Sequence, residues 1–352
     1  MRILQVCPKY YPDLGGVAQY VRNISERLAN EHEVTVFTCD TSGQLPKEET
    51  LNGVIIKRFR SFSPQDAYHI SLVMLSELRH SSFDVVHGHG YHAFPLFFSR
   101  YAESKKFIVN AYYHGHGHTL FRDFIIRFYK PFGVKALRQA DRIIALSNYE
   151  KGLLIQDFNL DDSNISIIPC GLNLEEFSDM GTEKREGKEI LYVGGLEEYK
   201  GVQHIINTLP LLDIDVHLEV IGKGPYKKHL VDFTKKLRLE ERVHFYQELS
   251  WKELLRKYAL ADVFILLSKY ESFSIVVAEA LAAKTPCIVA NTSALTEWID
   301  NKNCFGIDYP VDNAKLAELI TKVIGTEVGD IKLWDWDDVA RETLKVYGDD
   351  VR

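Results

Sequence analysis

Short runs of β-branched and aromatic residues alternate along this chain with longer stretches in which apolar residues recur at helical spacing. Val17 to Asn30 shows the helical pattern most clearly. Runs of the first kind predict strands at 2–7, 33–38, 54–59, 84–89, 107–113 and 142–147, and again at 189–194, 216–222, 243–247, 263–268 and 286–290. Strands that alternate with helices are typical of βαβ units. The pattern therefore predicts an α/β protein with two Rossmann-like, doubly wound parallel-sheet domains.

The two series of strands are separated by a stretch, Pro169 to Glu189, in which proline, glycine and charged residues interrupt the pattern. We predict an N-terminal domain over 1–170, a linker over 171–188 and a C-terminal domain over 189–330. Residues 331–352 predict a final helix, rich in aromatic residues and carboxylates, which is a candidate to cross back to the first domain. Ligands of open α/β sheets bind beyond the carboxyl ends of the strands. We therefore expect the functional site in the cleft where the two sheets face each other.

Composition and charge narrow the class of protein. A length of 352 residues suits two domains of about 150 to 200 residues each. The formal net charge of -7 argues against the strongly basic surface of a nucleic-acid-binding domain, so no nucleic-acid partner is expected. The 5 cysteines are widely spaced and include no C-x-x-C pair, which indicates neither a disulfide framework nor a zinc site. A reducing cytoplasm is the simplest setting.

One segment leaves a membrane role open. The chain has no apolar run of the roughly 18 residues that a membrane span needs, and its opening, MRILQVCPKYYP, lacks the features of a signal peptide. Thr119 to Gln139, however, mixes phenylalanines and a tyrosine with arginines and lysines. Such a mixture can lie on an anionic membrane surface, or it can form a core-packing helix with a solvated basic face. We expect a cytoplasmic protein, and this segment is the candidate for a peripheral membrane contact.

Three glycine-rich turns follow predicted strands, at the edge where ligands bind. Gly15 and Gly16 lie between the first strand and the first helix, where backbone N–H groups attract phosphate. They do not form a G-x-G-x-x-G motif, and an ordinary tight turn is an equal alternative. In the second domain, Gly195 is followed by Lys200, which can meet an anion or remain a surface lysine. Gly222 marks the third turn.

Two glutamates bracket an apolar run in the stretch ESFSIVVAE, which begins at Glu271 and ends at Glu279. Ser274 predicts the start of a helix, because serine is a favoured N-cap residue. Glu271 would then lie in the preceding loop and Glu279 in the second helical turn, so both carboxylates can approach one ligand. A carboxylate can accept a hydrogen bond from each hydroxyl of a vicinal diol. The alternative is a pair of carboxylates on the solvent face of a helix.

Histidines occur in two clusters. The first contains His87, His89 and His92, and the second is HGHGH from His114 to His118. The alternating spacing suggests metal ligands, but spacing alone gives neither the geometry nor the further ligands of a site. We predict no metal site and expect these histidines to line the cleft as polar groups.

Several of these motifs occur in the order found in one family. The most specific is E-x7-E, formed by Glu271 and Glu279. Supporting motifs between residue 2 and about residue 300 are the Gly15-Gly16 pair, DVVHGH, YYHG, IIPCGLNLEEF, YVGGLEEYKG and VIGKGP. The ordered set resembles the retaining glycosyltransferases of group one, also called family four.

The resemblance implies the GT-B fold, in which two Rossmann-like domains face each other across a cleft. It implies transfer of a sugar from a UDP- or GDP-sugar to a hydroxyl group of a glycan or lipid-linked glycan, with retention of anomeric configuration. The nucleotide sugar is then a substrate, and neither a metal nor a cofactor is required. A lipid-linked acceptor would suit a peripheral contact of residues 119–139 with the inner face of a membrane.

The resemblance also assigns roles to individual residues. His114 would reach the donor sugar near the reacting carbon, Glu271 would contact hydroxyls of that sugar, and Lys200 would neutralise the diphosphate. Gly16 would offer its N–H to the diphosphate, and Glu279 would bind the ribose hydroxyls. The other predicted donor contacts are Gly15, Gly195, Gly222, Leu249, Phe273, Ser274 and Ile275.

The sequence departs from the family pattern at three positions. Gly195 stands where the family has an arginine, so one of two expected phosphate-binding cations is absent. Ser274 replaces the usual glycine, and Cys170 replaces the usual asparagine. Lys223 and Lys269 are candidates to supply the missing charge. Two alternatives therefore stay open: a nucleotide-sugar epimerase or sugar phosphorylase of the same architecture, and a non-catalytic nucleotide-sugar-binding protein.

Overall fold

The computed structural model describes residues 1–13, 15–64, 68–115, 120–178 and 188–348, with the backbone alone described for 120–128. The chain divides into two compact units. The first contains residues 1–171 together with the residues from Trp334 onward, and the second contains residues 172–333.

The first unit is built on a sheet whose strands are parallel except at one edge. Its strands are β1 (Arg2–Cys7), β2 (Glu33–Asp40), β3 (Glu48–Leu51), β4 (Val54–Arg60), β5 (Ser82–His89), β6 (Glu103–Asn110), β7 (Arg142–Ala145) and β8 (Ile165–Ile167). They lie in the order β3-β4-β2-β1-β5-β6-β7-β8. Only β3 runs antiparallel to its neighbour. The helices that precede the second unit are α1 (Gly16–Leu28), α2 (Leu72–Arg79), α3 (Phe94–Ser99), α4 (Leu120–Gln139) and α5 (Asn148–Phe158).

The second unit contains a fully parallel sheet. Its strands are β9 (Lys188–Val193), β10 (Val216–Ile221), β11 (Val243–Tyr246), β12 (Val263–Leu266), β13 (Cys287–Ala290) and β14 (Cys304–Ile307), in the order β11-β10-β9-β12-β13-β14. Its helices are α6 (Val202–Thr208), α7 (Lys227–Lys236), α8 (Trp251–Leu260), α9 (Ile275–Ala282) and α10 (Asn313–Val323). The predicted architecture of two Rossmann-like parallel sheets is confirmed.

The sequence pattern predicts all the interior strands of both sheets and one edge strand, β11. All residues of β12, for example, are buried, because helices cover both faces of a parallel strand. Three strands at or beside sheet edges, β3, β8 and β14, are not predicted. β3 has the sequence EETL, β8 is only 3 residues long, and β14 contains Gly306. None of the three presents a long run of β-branched residues.

The last helix, α11 (Trp336–Tyr347), belongs to the first unit and packs against α1. Asp335 caps it by accepting a hydrogen bond from the backbone N–H of Asp337 at 2.8 Å. The ring of Trp336 contacts Tyr20 edge-on, with 5.5 Å between centroids. Asp337 also pairs with Arg27 of α1 at 2.5 Å. A helix that follows the second unit in the chain therefore completes the core of the first.

Within the described residues, no helix combines the length and the apolar character that crossing a membrane requires.

Candidate functional site

The residues that the sequence places in the site include an ion pair in the second unit. Lys200 ends a short 3₁₀ turn, Glu198–Lys200, and Glu271 lies in the loop between β12 and α9. The Lys200 Nζ donates to Glu271 Oε1 at 2.6 Å, and the two side chains are 18% and 14% exposed. Burial alone lowers the pKa of Lys200, but attraction to Glu271, together with smaller contributions from Tyr199 and Glu197, outweighs this effect and leaves the pKa raised. The lysine is therefore a fixed positive charge.

The backbone around this pair fixes the two loops to each other. Gly201, directly after Lys200, has φ +80, and a Cβ at this position would collide with the carbonyl oxygen of Leu267. Lys269 donates its backbone N–H to the carbonyl of Tyr199 at 2.8 Å. The backbone N–H of Glu271 donates to Ser293 Oγ at 3.1 Å. Residues far apart in sequence are thus held at one edge of the sheet.

The start of α9 differs from the sequence prediction in one respect. Ser274 occupies the N-cap position as predicted, but its side chain makes no capping hydrogen bond. Its backbone has φ +77, in the left-handed region that favours glycine, and the side chain cannot reach the first-turn N–H groups from there. Its Oγ is buried without a hydrogen-bond partner among the described residues. Phe273, the preceding residue, accepts a hydrogen bond at its carbonyl from Trp298 Nε1 at 2.8 Å.

The first turn of α9 contributes further partial positive charge. Ile275 begins the helix, and the side chain of the N-cap residue caps none of its first-turn N–H groups. Unpaired N–H groups and the helix dipole make such an end favourable for an anion. Together with the charge of Lys200, the loop between β12 and α9 has the chemistry to hold a phosphate or the hydroxyls of a sugar.

Glu279 lies in the second turn of α9, as predicted, and is 6% exposed. Tyr258 donates its hydroxyl proton to Glu279 Oε2 at 2.7 Å. Burial raises the pKa of Glu279 to about 7. Glu271 pairs with Lys200 and Glu279 with Tyr258, so the two glutamates share no partner in the described part of the chain.

The glycine turns of the second unit lie side by side. A Cβ at Gly222 would collide with the carbonyl oxygen of Gly194, so only glycine permits this approach. Leu196 donates its N–H to the carbonyl of Lys223 at 2.8 Å. Gly195, between them, has open space around it, because a Cβ built there meets no described atom within 4 Å. A larger side chain fits at this position.

Both lysines suggested as substitutes for the missing arginine have other partners. Lys223 Nζ pairs with Glu248 Oε1 at 2.9 Å, and both side chains are exposed. Lys269 Nζ lies 5.2 Å from the ring centroid of Tyr270. Lys223 is the nearer candidate, because its backbone carbonyl accepts a hydrogen bond from Leu196, the residue after Gly195. Leu249, which follows Glu248, packs against the core of the second unit.

The predicted site residues of the first unit lie at the start of α1 and in the loop after β6. Gly15 precedes α1 and Gly16 begins it, and a Cβ on either meets no described atom within 4 Å. His114 lies in the loop after β6, with its ring centroid 5.2 Å from that of His92. His116 and His118 lie outside the described residues. Among the described ones, no cluster of three or more potential metal ligands is present.

The prediction that His87 and His89 line a cleft is wrong, because both are completely buried. His87 bonds the Tyr347 hydroxyl at 2.7 Å and Asn110 Oδ1 at 3.0 Å. His89 bonds Gln5 Oε1 at 2.6 Å. Burial lowers the pKa of His87 to about 3, so the ring is neutral. These histidines join β5 to its neighbours and to α11.

Glu150 is a buried residue beside the loop of His114 that the sequence prediction did not single out. It lies in the first turn of α5, is 0% exposed and accepts a hydrogen bond from the backbone N–H of Tyr113, next to His114. The only available signal was the capping-box pattern S-x-x-E formed by Ser147 and Glu150. That pattern predicts a helix start but not a contact with the loop after β6.

Sequence comparison finds two family models that together cover most of the chain. The model described as "Glycosyl transferases group 1" matches residues 175–338, and the one described as "Glycosyltransferase Family 4" matches residues 14–176. An uncharacterized glycosyltransferase of Methanocaldococcus jannaschii is 26% identical over 99% of this chain and 98% of its own. A GDP-mannose:cellobiosyl-diphosphopolyprenol alpha-mannosyltransferase of Xanthomonas campestris is 27% identical over 80% of this chain and 77% of its own.

A solved structure supports the fold. HepE of Anabaena, crystallised in complex with UDP, superposes with a TM-score of 0.77 at 16% identity, over 99% of this chain and 100% of that one. At this identity the likeness concerns the fold alone.

Proposed function

Because this chain belongs to the group 1 glycosyltransferases, we propose that it moves a sugar from a nucleoside diphosphate sugar to a hydroxyl group of a glycan or lipid-linked glycan, with retention of anomeric configuration. The observation that carries this proposal is the half-buried pair of Lys200 and Glu271 beside the first turn of α9. This region combines a fixed cation, the N–H groups of a helix start, and a carboxylate that can accept hydrogen bonds from hydroxyl groups.

These groups suit the departure of a diphosphate. When the bond between the sugar and the phosphate breaks, negative charge develops on the leaving oxygen. A preorganised cation and helix N–H groups stabilise such charge without moving. Lys200 supplies the cation, and Glu271 both holds Lys200 in place and offers its carboxylate to sugar hydroxyls.

The donor would be a UDP- or GDP-sugar. Glu279 accepts a hydrogen bond at Oε2 from Tyr258, and its Oε1 has no partner among the described residues, so it can accept from a ribose hydroxyl. HepE binds UDP and the Xanthomonas relative uses GDP-mannose, which supports these two nucleotides as candidates. Gly16, Gly195, Gly222 and Leu249 remain proposed donor contacts.

The chemical step needs no metal in this proposal. The acceptor oxygen forms a bond to the anomeric carbon while the bond from that carbon to the phosphate oxygen breaks. The acceptor proton passes to the departing phosphate, on the same face, so the configuration is retained. His114 is the proposed first-unit contact to the transferred sugar.

A lipid-linked acceptor is the more specific form of the proposal. The Xanthomonas relative is named for a diphosphopolyprenol acceptor, and residues 119–139 combine aromatic and basic residues. Such a segment can lie on an anionic lipid surface at the cytoplasmic face. Sedimentation with anionic liposomes at low salt should carry the protein down, and neutral liposomes should not. Absence from the anionic pellet would contradict the membrane contact.

Calorimetric titration with UDP, GDP and ADP tests donor binding. We expect one of these to bind, and Glu279→Ala to weaken it, whereas Glu318→Ala, an exposed carboxylate on α10, should not. Transfer of radiolabelled sugar to lipid extract or glycan should fall in Lys200→Ala. Binding without transfer to any acceptor would favour the non-catalytic alternative, and conversion of the nucleotide sugar without an acceptor would favour an epimerase.

A further inference from the structure

We propose that Glu150 is a positioning residue that sets the conformation of residues 111–115 and thereby places His114. The structural part of this inference stands on the hydrogen bonds alone. Its consequence for turnover rests on the proposed function, which gives His114 its role.

Glu150 makes an unusual helix cap. Ser147 precedes α5, and its Oγ accepts a hydrogen bond from the backbone N–H of Glu150 at 3.1 Å. In a capping box the glutamate would in turn accept from the N–H of the capping serine. Here Oε2 instead accepts from Leu146 N–H at 2.8 Å, and Oε1 accepts from Tyr113 N–H at 2.7 Å. One carboxylate therefore ties the loop after β6 to the start of α5.

The loop that it holds is not relaxed. Tyr112 has φ +51, which is uncommon for a residue with a side chain and costs about 1 kcal/mol or more. Tyr113 is buried and donates its hydroxyl proton to Asp157 Oδ2 at 2.6 Å. Without Glu150, the Tyr113 N–H would lose its acceptor, and the segment that leads into His114 would lose its anchor at one end.

The same carboxylate is costly to bury. Glu150 is 0% exposed and forms no ion pair with a lysine or arginine among the described residues. Burial raises its pKa to about 7, and hydrogen bonds from backbone N–H groups oppose that rise. A buried carboxylate without a lysine or arginine partner departs from the usual rule of burial, and such departures are often found at functional positions. A glutamine of the same size would be cheaper to bury, but its NH2 group would face a backbone donor.

Glu150→Gln tests the structural part without any substrate. Hydrogen–deuterium exchange over residues 107–115 should become at least tenfold faster in this variant. Ser147→Ala is the matched control, because it removes the cap of the same helix and leaves the carboxylate in place. Unchanged exchange in Glu150→Gln, or equal acceleration in both variants, would overturn the proposal. If the glutamine variant does not fold, Glu150→Asp, which keeps the charge but shortens its reach, is measured with the same expectation.

Kinetics test the consequence. Glu150→Gln should lower kcat about tenfold or more while KM for the donor stays within about twofold, whereas Ser147→Ala should leave both near their original values. In a His114→Ala background, Glu150→Gln should lower kcat no further, because residues that act as a unit are not additive. An additional full loss in that background would show that Glu150 acts elsewhere. Full turnover of His114→Ala alone would instead contradict the proposed role of His114, while the exchange result would still decide the role of Glu150.

Discussion

Gly195 lies where the family resemblance predicts an arginine, so this chain lacks one expected positive charge at this position. The position is open, since a Cβ built on it meets no described atom within 4 Å. Its φ is not among the positive values found at other glycines, so a side chain is tolerated there. Lys223, whose backbone is hydrogen-bonded to the residue after Gly195, is the nearest lysine that could replace the missing charge. Its Nζ forms an ion pair with Glu248 at 2.9 Å.

Replacing Gly195 with arginine should strengthen the binding of a nucleoside diphosphate. A charge-assisted hydrogen bond to phosphate adds about 1.4 kcal/mol, which corresponds to about tenfold in Kd. Calorimetric titration of Gly195→Arg with UDP or GDP measures the change, and Gly195→Gln controls for size without charge. An unchanged affinity in the arginine variant would mean that the diphosphate does not lie beside this turn.

Ser274 carries two unfavourable features in one residue. Its φ of +77 favours glycine, and its Oγ is buried without a partner among the described residues. Ser274→Gly should therefore raise the free energy of unfolding by about 1 to 2 kcal/mol. Ser274→Ala, which removes the hydroxyl but retains the strained backbone, should gain less. Denaturant unfolding of both variants checks the order, and a destabilised glycine variant would contradict this account.

The sequence predicted Lys200 and Glu271 as site residues but did not predict that they pair with each other. Their contact depends on which strand ends lie side by side, and the positions are far apart in the chain. Glu150 was missed for the same reason, since its acceptor role joins two loops. His87 and His89 were misassigned because their spacing on a strand says nothing about which elements cover them.

At the scale of elements, α9 combines a helix start that favours a bound anion with a buried acid. Glu279 lies on the inner side of this helix, and its carboxylate accepts a hydrogen bond from the Tyr258 hydroxyl. A buried acid whose pKa is raised to about 7 binds a proton more tightly in the folded state than in the unfolded one. At a pH between the pKa of the unfolded state and that of the folded state, folding is coupled to proton uptake by Glu279.

The stability of the protein should depend on pH through Glu279. Its pKa rises from the ordinary value of 4.5 to about 7 on folding, so the free energy of unfolding falls as pH increases across that window. Glu279→Gln should flatten this slope and gain relative stability at pH 8. Denaturant unfolding at pH 5 and pH 8 measures both slopes. Burial also raises the pKa of Glu150 to about 7, so Glu150→Gln should flatten the pH dependence of the free energy of unfolding in the same way and serves as the comparison. Equal slopes in wild type and Glu279→Gln would contradict the prediction.

Central strands were predictable because both of their faces are buried, which makes them continuous apolar runs. β6 shows the limit of that pattern. The predicted strand ran from 107 to 113, but β6 is Glu103–Asn110, since Tyr112 turns into the left-handed region. Its first residues, ESKK, are polar and gave no strand signal, whereas the tyrosines after it are apolar enough to imitate one.

At the scale of the whole molecule, the first unit consists of two separate parts of the chain. Residues 1–171 form its sheet, and α11 closes one side of it after the second unit has intervened. Tyr347 is buried at the end of α11 and bonds both Gln5 and His87. The polar cluster inside the first sheet therefore has one member from the far end of the described chain.

Ending the chain after Leu333 should destabilise the first unit and leave the second folded. The cut removes α11, exposes Tyr20 and leaves His87 without its tyrosine partner. Differential scanning calorimetry should show a separate, lower transition for the first unit. Replacement of both Asp338 and Arg341, an exposed pair on α11, is the control and should change Tm little. Unchanged unfolding after the cut would contradict the structural role of α11.

The split of the first unit also orders its assembly during synthesis. A ribosome makes residues 1–171 first, but it must translate all of residues 172–333 before the codons for α11 are reached. Domains generally fold as units while the nascent chain emerges. The second unit is continuous in sequence, so it can complete its fold before α11 has been made. The first unit can be completed only afterwards, although most of it is synthesised earlier.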